Sequence, residues 1–264
     1  DTGLNRNRYA EHAHNIFGHD GTPPGTLLAT AREQIKTYKT VQSISARATG
    51  VSADNDSFRV STERGETIEG RTLILCYGIV DEFPNLPGFE QAWGKTVIHC
   101  PFCHGYEVAG KRWGLVYSSP MSLHAPALYR NWTDDITLFL NGHDIIDEER
   151  SKLDRAGVRI IDGALAAIDQ KDGQVRAVIL ANGTHIEVDA LYAHPDNRPS
   201  ADLHLNLGLE TKSTPTGTMV VTNDMQATSR ERVFAAGDLA TRMHSVTFAT
   251  NAGSLAAMGV LLIY

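Results

Sequence analysis

Hydrophobic positions change their period several times along this chain, and the changes divide it into elements. Leu27, Leu28, Ala31 and Ile35 recur at helical spacing and predict a helix over 26–38. Strand-like runs follow at 41–50 and 57–62, either side of the turn Asp54-Asn55-Asp56, and then at 67–70 and 71–76. The stretch Leu73-Ile74-Leu75-Cys76 is apolar on both faces, as in a buried parallel strand. Pro84 and Pro87 make 80–88 a linker. Beyond it, strands are predicted at 113–117, 135–140 and 158–161, alternating with helices over 122–132 and 148–156. The segments 165–169, 175–180 and 185–188 read as an antiparallel meander, with turns at Asp172-Gly173 and Asn182-Gly183. A strand at 190–193 closes that unit, and the polar, proline-containing stretch 194–201 is a second link. The last part holds a strand at 219–222, a buried strand at 233–238 ending in Gly237-Asp238, and a small-residue helix over 245–264. Strands alternating with helices place the chain in the α/β class.

Residues 11–25 break this pattern. They contain His12, His14, Gly18, His19 and Gly21 and end in Pro23-Pro24, which is loop composition. The histidines could line a substrate site or sit in a hydrated loop, and the composition favours the hydrated loop. Asp1-Thr2-Gly3 reads as the residues after a strand, and the last helix shows no cap after Ile263-Tyr264. Both ends therefore look cut.

Composition excludes several classes. With 264 residues the chain can build one large domain or two smaller ones. Its net charge is −7 with no long basic run, so nucleic acid is not an expected partner. No apolar run approaches the ~20 residues of a membrane span, and the visible start is too polar for a signal peptide. Three cysteines do not make a secreted disulfide framework. The expected compartment is the reducing cytoplasm.

Two of those three cysteines sit together, in Cys100-Pro101-Phe102-Cys103. Thiols at this spacing can close a small disulfide ring, and the setting favours a thiolate able to attack other disulfides. A redox dithiol is the leading reading. A zinc half-site, a c-type haem attachment site (Cys100 to His104 spells C-x-x-C-H) and two inert thiols remain alternatives. Zinc would need further ligands, and adjacent residues such as His99 and His104 rarely converge on one tetrahedral ion. Cys76, in its apolar run, is expected to be buried and to take no part. No metal site is expected.

The order of these segments resembles the thioredoxin-reductase-like, FAD-dependent disulfide oxidoreductases, including the related dithiol oxidases of epidithio compounds. The resemblance covers nearly the whole chain. Asp1-Thr2-Gly3 with Asn5-Arg6-Asn7-Arg8 is similar to the segment after the second strand of an FAD-binding Rossmann unit. Cys100-Pro101-Phe102-Cys103-His104-Gly105-Tyr106-Glu107 is similar to the redox motif of the pyridine-nucleotide domain, and Ala235-Ala236-Gly237-Asp238 to the late FAD motif. The resemblance implies two Rossmann-like dinucleotide-binding domains of three-layer ββα form, the first incomplete and split in sequence. Residues 1–84 and 202–264 would bind FAD, and 88–194 would carry the dithiol. It implies FAD contacts at Asp1, Asn7, Gly78, Gly237, Asp238, Ser245 and Val246, with Asp1 facing the adenosine ribose and Asp238 the ribityl chain. His244 falls near that site. It also implies that Cys103 is the thiol nearer the flavin, that Cys100 meets the substrate, and that the protein is a homodimer.

Two features depart from the family. The glycine-rich turn that holds the FAD pyrophosphate should precede Asp1. In the pyridine-nucleotide domain, the turn after the 113–117 strand is Tyr117-Ser118-Ser119-Pro120-Met121-Ser122, without glycine. Asn141-Gly142-His143-Asp144, after the next strand, offers no Arg or Lys for a 2′-phosphate. These departures argue against NADPH binding of the usual kind. The expected function is a flavin-dependent thiol–disulfide oxidoreductase, with His104 and Glu107 as candidates for proton transfer or thiolate stabilisation. Its partner would be a protein disulfide of thioredoxin type. Alternatively, the enzyme would oxidise a small-molecule or protein dithiol and pass electrons to oxygen. A non-catalytic fragment or binding protein is the reading from another class.

Overall fold

The computed structural model describes residues 2–54 and 56–263. In chain order the elements begin with α1 (Pro24–Ile35), β1 (Ala48–Ala53), β2 (Phe58–Thr62), β3 (Thr67–Gly70), β4 (Leu73–Leu75) and β5 (Ile79–Glu82). Next come α2 (Phe89–Ala92), β6 (Val97–Ile98), α3 (Pro101–His104), β7 (Trp113–Val116), α4 (Ala125–Tyr129), β8 (Ile136–Phe139), α5 (Asp147–Arg155) and β9 (Arg159–Ile161). The hairpin strands β10 (Leu165–Lys171), β11 (Gln174–Leu180) and β12 (His185–Glu187) lead to β13 (Ala190–Tyr192) and β14 (Asp196–Pro199). The chain finishes with α6 (Leu203–Asn206), β15 (Thr211–Thr214), β16 (Gly217–Val220), β17 (Val233–Ala235) and α7 (Val246–Leu261).

These elements form two compact units. One comprises residues 1–8, 25–82 and 196–264; the other comprises 9–24 and 83–195. In the second unit a parallel sheet runs in the order β6-β13-β7-β8-β9. Its strands are buried on both faces, which is why they read as continuous apolar runs. One face packs Val97, Phe139 and Leu191 against Val175, Val178 and Ile186 of the β10-β11-β12 meander. The other packs Ile98, Trp113, Leu138 and Tyr192 against Tyr129 of α4 and Leu153 of α5. Meander, parallel sheet and helices are the three layers of a Rossmann-like ββα unit. Gly88 lets the meander approach: it has φ 86°, and a Cβ there would lie 2.1 Å from the Ile168 carbonyl oxygen.

The first unit repeats the plan with fewer strands. β4 and β17 pair in parallel. One face of the pair meets the β1-β2-β3 meander through Val51, Phe58, Leu75 and Val233. The other meets α7 through Phe234, Ala252 and Ala256, and the small residues of that helix let it approach closely.

The structure corrects several sequence expectations. The segments 80–88 and 194–201, read as links, each contain a strand, and β5 and β14 pair antiparallel from Asp196↔Glu82 to Pro199↔Ile79. Charged residues hid both, adjacent in β5 (Asp81-Glu82) and alternating ahead of a terminal proline in β14. The helix expected over 122–132 is broken: a 3-10 turn at Pro120–Leu123 precedes α4, which restarts with Pro126 in its first turn. The strand expected at 41–50 lies at Ala48–Ala53. Cys76 is exposed, just past the end of β4, rather than buried within it. Among the described residues no helix is long and apolar enough to cross a membrane.

Candidate functional site

The dithiol turn lies where β6 ends in the second unit. The backbone stays extended to Cys100 (φ −140°, ψ 118°), which caps α3. Pro101 occupies the first helical turn, where its missing N–H costs nothing. The Cys100 carbonyl accepts from the Cys103 and His104 N–H groups at 3.2 and 3.3 Å, winding the two cysteines onto one turn. The three cysteines are not disulfide-bonded in this structure. Gly105 follows because space demands it: a Cβ would lie 2.4 Å from the Pro101 carbonyl oxygen and 3.0 Å from the Trp132 indole nitrogen. Trp132 also meets the exposed Phe102 ring edge-on, with centroids 5.7 Å apart.

The histidine-rich loop closes on this turn. Ala13 bridges to Thr22, so the loop is a small hairpin. His14 Nε2 lies 2.7 Å from Glu107 Oε1, and its Nδ1 lies 3.3 Å from Asp20 Oδ2. Asn15 donates from Nδ2 to the Phe102 carbonyl at 2.5 Å and from its backbone N–H to Asp20 at 2.8 Å. The Asn15 bond and His14 hold Asp20 below the usual carboxylate range. His12 bonds the Gly21 carbonyl, with its ring 6.4 Å from that of His14. The loop is therefore tied to the redox motif at two points, which corrects the hydrated-loop expectation for His14. Glu107 lies beyond the end of α3, and its carboxylate meets His14.

His104 has neither ring nitrogen hydrogen-bonded, and both are buried. Burial pushes its pKa below the ordinary value; Glu107 opposes this and His14 adds to it. A neutral imidazole without committed partners, directly after Cys103, can take or give a proton.

The turn after β7 spends its own donors. Ser118 and Ser119 both donate backbone N–H groups to Ser122 Oγ, at 3.1 and 3.4 Å, and Ser122 N–H donates to the Ser119 carbonyl at 2.9 Å. Pro120 has no N–H. In place of the glycine-rich arc whose amides face a pyrophosphate, the chain has a serine turn closed on itself. After β8, Asn141 (φ 51°) accepts the Leu165 N–H through its side chain, and the His143 ring packs on Tyr117, 5.1 Å between centroids.

In the first unit, β17 leads into Gly237 (φ 73°) and Asp238. Asp238 Oδ2 lies 3.6 Å from Arg6 Nη1, while Arg6 forms a bidentate bond to the nearly buried Asp81 at 2.6 and 2.8 Å. Arg6 also meets His244 Nδ1 at 2.8 Å, and His244 Nε2 meets the Thr241 carbonyl at 2.9 Å. These partners assign a neutral His244 with its proton on Nε2. Burial holds its pKa below the ordinary value; Asp238 opposes this and Arg6 adds to it. Burial alone would lower Arg6, but its bonds to Asp81 and the charges of Asp81 and Asp238 hold it above the ordinary value. Arg6, Asp81 and His244 thus form one network around Asp238, joined by residues far apart in sequence.

The other FAD candidates are distributed as follows. Asn7 accepts from Asn5 Nδ2 at 2.6 Å. Gly78 has φ 66°, and nothing lies within 4 Å of where its Cβ would be. Ser245 caps α7 by accepting the Phe248 N–H at 3.1 Å, and Val246 begins that helix. Asp1 lies outside the described residues. The residues present fit a flavin dinucleotide: a carboxylate for a polyol chain, open backbone at Gly78, and a 16-residue helix whose N-terminal dipole suits a carbonyl-rich ring edge.

Two Rossmann-like units, one bearing a dithiol turn and the other an acidic turn ahead of a helix, define a disulfide oxidoreductase of the two-dinucleotide-domain class. The chain belongs to the pyridine nucleotide-disulphide oxidoreductase family, whose model matches residues 6–253. It is similar to thioredoxin reductase tcpT of Claviceps purpurea, with 31% identity over 97% of this chain and 83% of the relative. Thioredoxin reductase sirT of Leptosphaeria maculans is likewise 31% identical, over 98% and 84%. Among solved structures, an oxidoreductase from Agrobacterium tumefaciens is 33% identical and superposes with a TM-score of 0.92, covering 98% of this chain and 87% of that one.

Proposed function

We propose that this chain is an FAD-dependent thiol–disulfide oxidoreductase in which Cys100 and Cys103 exchange with a disulfide or dithiol partner. The observation that supports it best is the Cys100–Cys103 turn flanked by His104, whose ring nitrogens are buried and uncommitted, and by the His14–Glu107 pair.

In the reducing direction, a Cys100 thiolate attacks one sulfur of the partner disulfide. The Cys100–partner bond forms, the partner's S–S bond breaks, and the departing thiolate takes a proton. The Cys103 thiolate then attacks the Cys100 sulfur, closes the Cys100–Cys103 disulfide and releases the second partner thiolate. Read backwards, the same steps oxidise a dithiol. His104 and Glu107 receive and return the protons, and His14 holds Glu107 in place. When bound, FAD would supply a two-electron couple for the enzyme dithiol, and Asp238, Gly237, Gly78, Asn7 and the Ser245–Val246 end of α7 would hold it.

The serine turn after β7 favours the dithiol-oxidising direction, with a small-molecule or protein dithiol as donor and oxygen as acceptor. A turn whose amides are already satisfied offers little to the pyrophosphate of NADPH. A thioredoxin-like disulfide is the partner in the reducing direction. The reading also takes the protein as a cytoplasmic homodimer, with the unit of residues 1–8, 25–82 and 196–264 for FAD and the unit of 9–24 and 83–195 for the dithiol.

Thiol counting with mass mapping tests the dithiol assignment. Mild reduction of the air-oxidised protein should release two thiols, both from the Cys100–Cys103 pair. A disulfide that pairs Cys76 with either of them would contradict it.

A further inference from the structure

Tyr192 ends β13 within the parallel sheet. Its side chain is fully buried, and its hydroxyl has no hydrogen-bond partner. A buried hydroxyl left unpaired costs stability, so its presence calls for a partner that arises in use. Strand register indicates which one. Tyr192 sits opposite Ile98 of β6. Side chains alternate along a strand: Val97 packs with Phe89 and Trp93, Ile98 packs with Tyr129 and Tyr192, and His99 stacks back on Trp93 at 5.7 Å. The backbone is still extended at Cys100, so the next alternation returns Cys100 to the face of Tyr192. The rings of Trp113 and Tyr129, each with its centroid 4.6 Å from that of Tyr192, fix the phenol in place. Burial keeps this phenol protonated, and the charges of Tyr129, Cys100, Glu107 and Cys103 reinforce it.

We propose that Tyr192 is a catalytic residue of the dithiol site, its hydroxyl donating a hydrogen bond to the Cys100 sulfur when that sulfur is a thiolate. This rests on the reading of Cys100 as the exchanging thiol. No electron moves in the contact: the proton stays on the phenol and the charge on the sulfur. The bond favours the charged sulfur, so it raises the thiolate population at neutral pH. The other titratable groups around Cys100 are Tyr129 from α4, Cys103, His104 and Glu107 from its own turn and the residues after it, and His14 from the facing loop.

The test is Tyr192→Phe, which keeps the ring and its packing. The reduced, full-length protein is alkylated with iodoacetamide across a pH series, and modification of Cys100 is read by peptide mass. The midpoint for Cys100 should rise by about one pH unit, as expected for loss of a hydrogen bond to a charged group. The melting temperature should hold or rise, because an unpaired hydroxyl has been removed. Equal midpoints in variant and wild type, in a protein whose Cys100–Cys103 disulfide does form and open, would overturn the role of Tyr192 alone. A wild type in which that disulfide never forms would instead overturn the dithiol reading.

Discussion

His14 and Glu107 show what a single contact can decide. They meet at 2.7 Å, and the outer nitrogen of the same imidazole faces Asp20, which carries the chain of polar groups toward the surface. His14→Gln keeps a polar side chain but breaks the line between Glu107 and Asp20. Reduction of the enzyme disulfide by dithiothreitol should slow by roughly 10- to 100-fold, at or below the ~100-fold lower bound for a proton-transfer group itself, because His14 acts by positioning Glu107. An unchanged rate in that variant, measured by thiol release, would remove His14 from the site. The two cysteines, His104, Glu107 and the Gly237-Asp238 turn were legible because each sits in a short local pattern. His14 on Glu107, and Arg6 on Asp81, Asp238 and His244, were not. Arg6 and Asp81 are 75 residues apart and His244 lies far beyond both, and no local periodicity encodes such meetings. Tyr192 was hidden in another way, because an apolar strand run gives no hint that one hydroxyl lacks a partner.

Elements were read well where burial imposed a pattern. The β10-β11-β12 meander, the parallel strands β7, β8, β9 and β13, and α7 fell close to their expected positions, because Asp-Gly and Asn-Gly turns and continuous apolar runs are local signals; the two-residue β6 was too short to leave one. β5 and β14 escaped because each is short and half charged, with a proline in β14 and another two residues after β5, and pairing between segments distant in sequence makes them strands. The serine turn carries the sharpest expectation at this scale. Its missing glycines were visible in the sequence, while the capture of the Ser118 and Ser119 amides by Ser122 required the structure. NADPH at micromolar concentration should reduce the bound flavin slowly or not at all under anaerobic stopped-flow conditions. Rapid bleaching would show that the turn opens to a nucleotide and would restore the ordinary reductase reading.

At the scale of the whole molecule, three partly or wholly buried histidines link stability to pH. Burial is the first cause of the lowered pKa of His104, His204 and His244. Each therefore stabilises the fold above its unfolded pKa of about 6.5, and that contribution is lost as pH falls from there toward the lowered folded values. The melting temperature should drop between neutral pH and about pH 5.5, before most carboxylates titrate. A flat or rising profile over that window would mean these imidazoles are hydrated when folded. The α/β class was recognisable from alternating strands and helices, and the two ββα units from the family resemblance. The allotment of residues 9–24 to the unit that carries the dithiol was not, because a hairpin closed by one bridge leaves no periodic pattern and shows its packing only in three dimensions.

The central claim is that electrons pass between a partner dithiol and flavin by way of Cys100 and Cys103. Anaerobic mixing of the FAD-loaded protein with dithiothreitol, compared between wild type and Cys103→Ser, tests it most directly. The account predicts that the flavin absorption band bleaches in the wild type and persists in the variant. Bleaching at the same rate in both would show that the flavin is reduced without the cysteine pair, and would contradict the account.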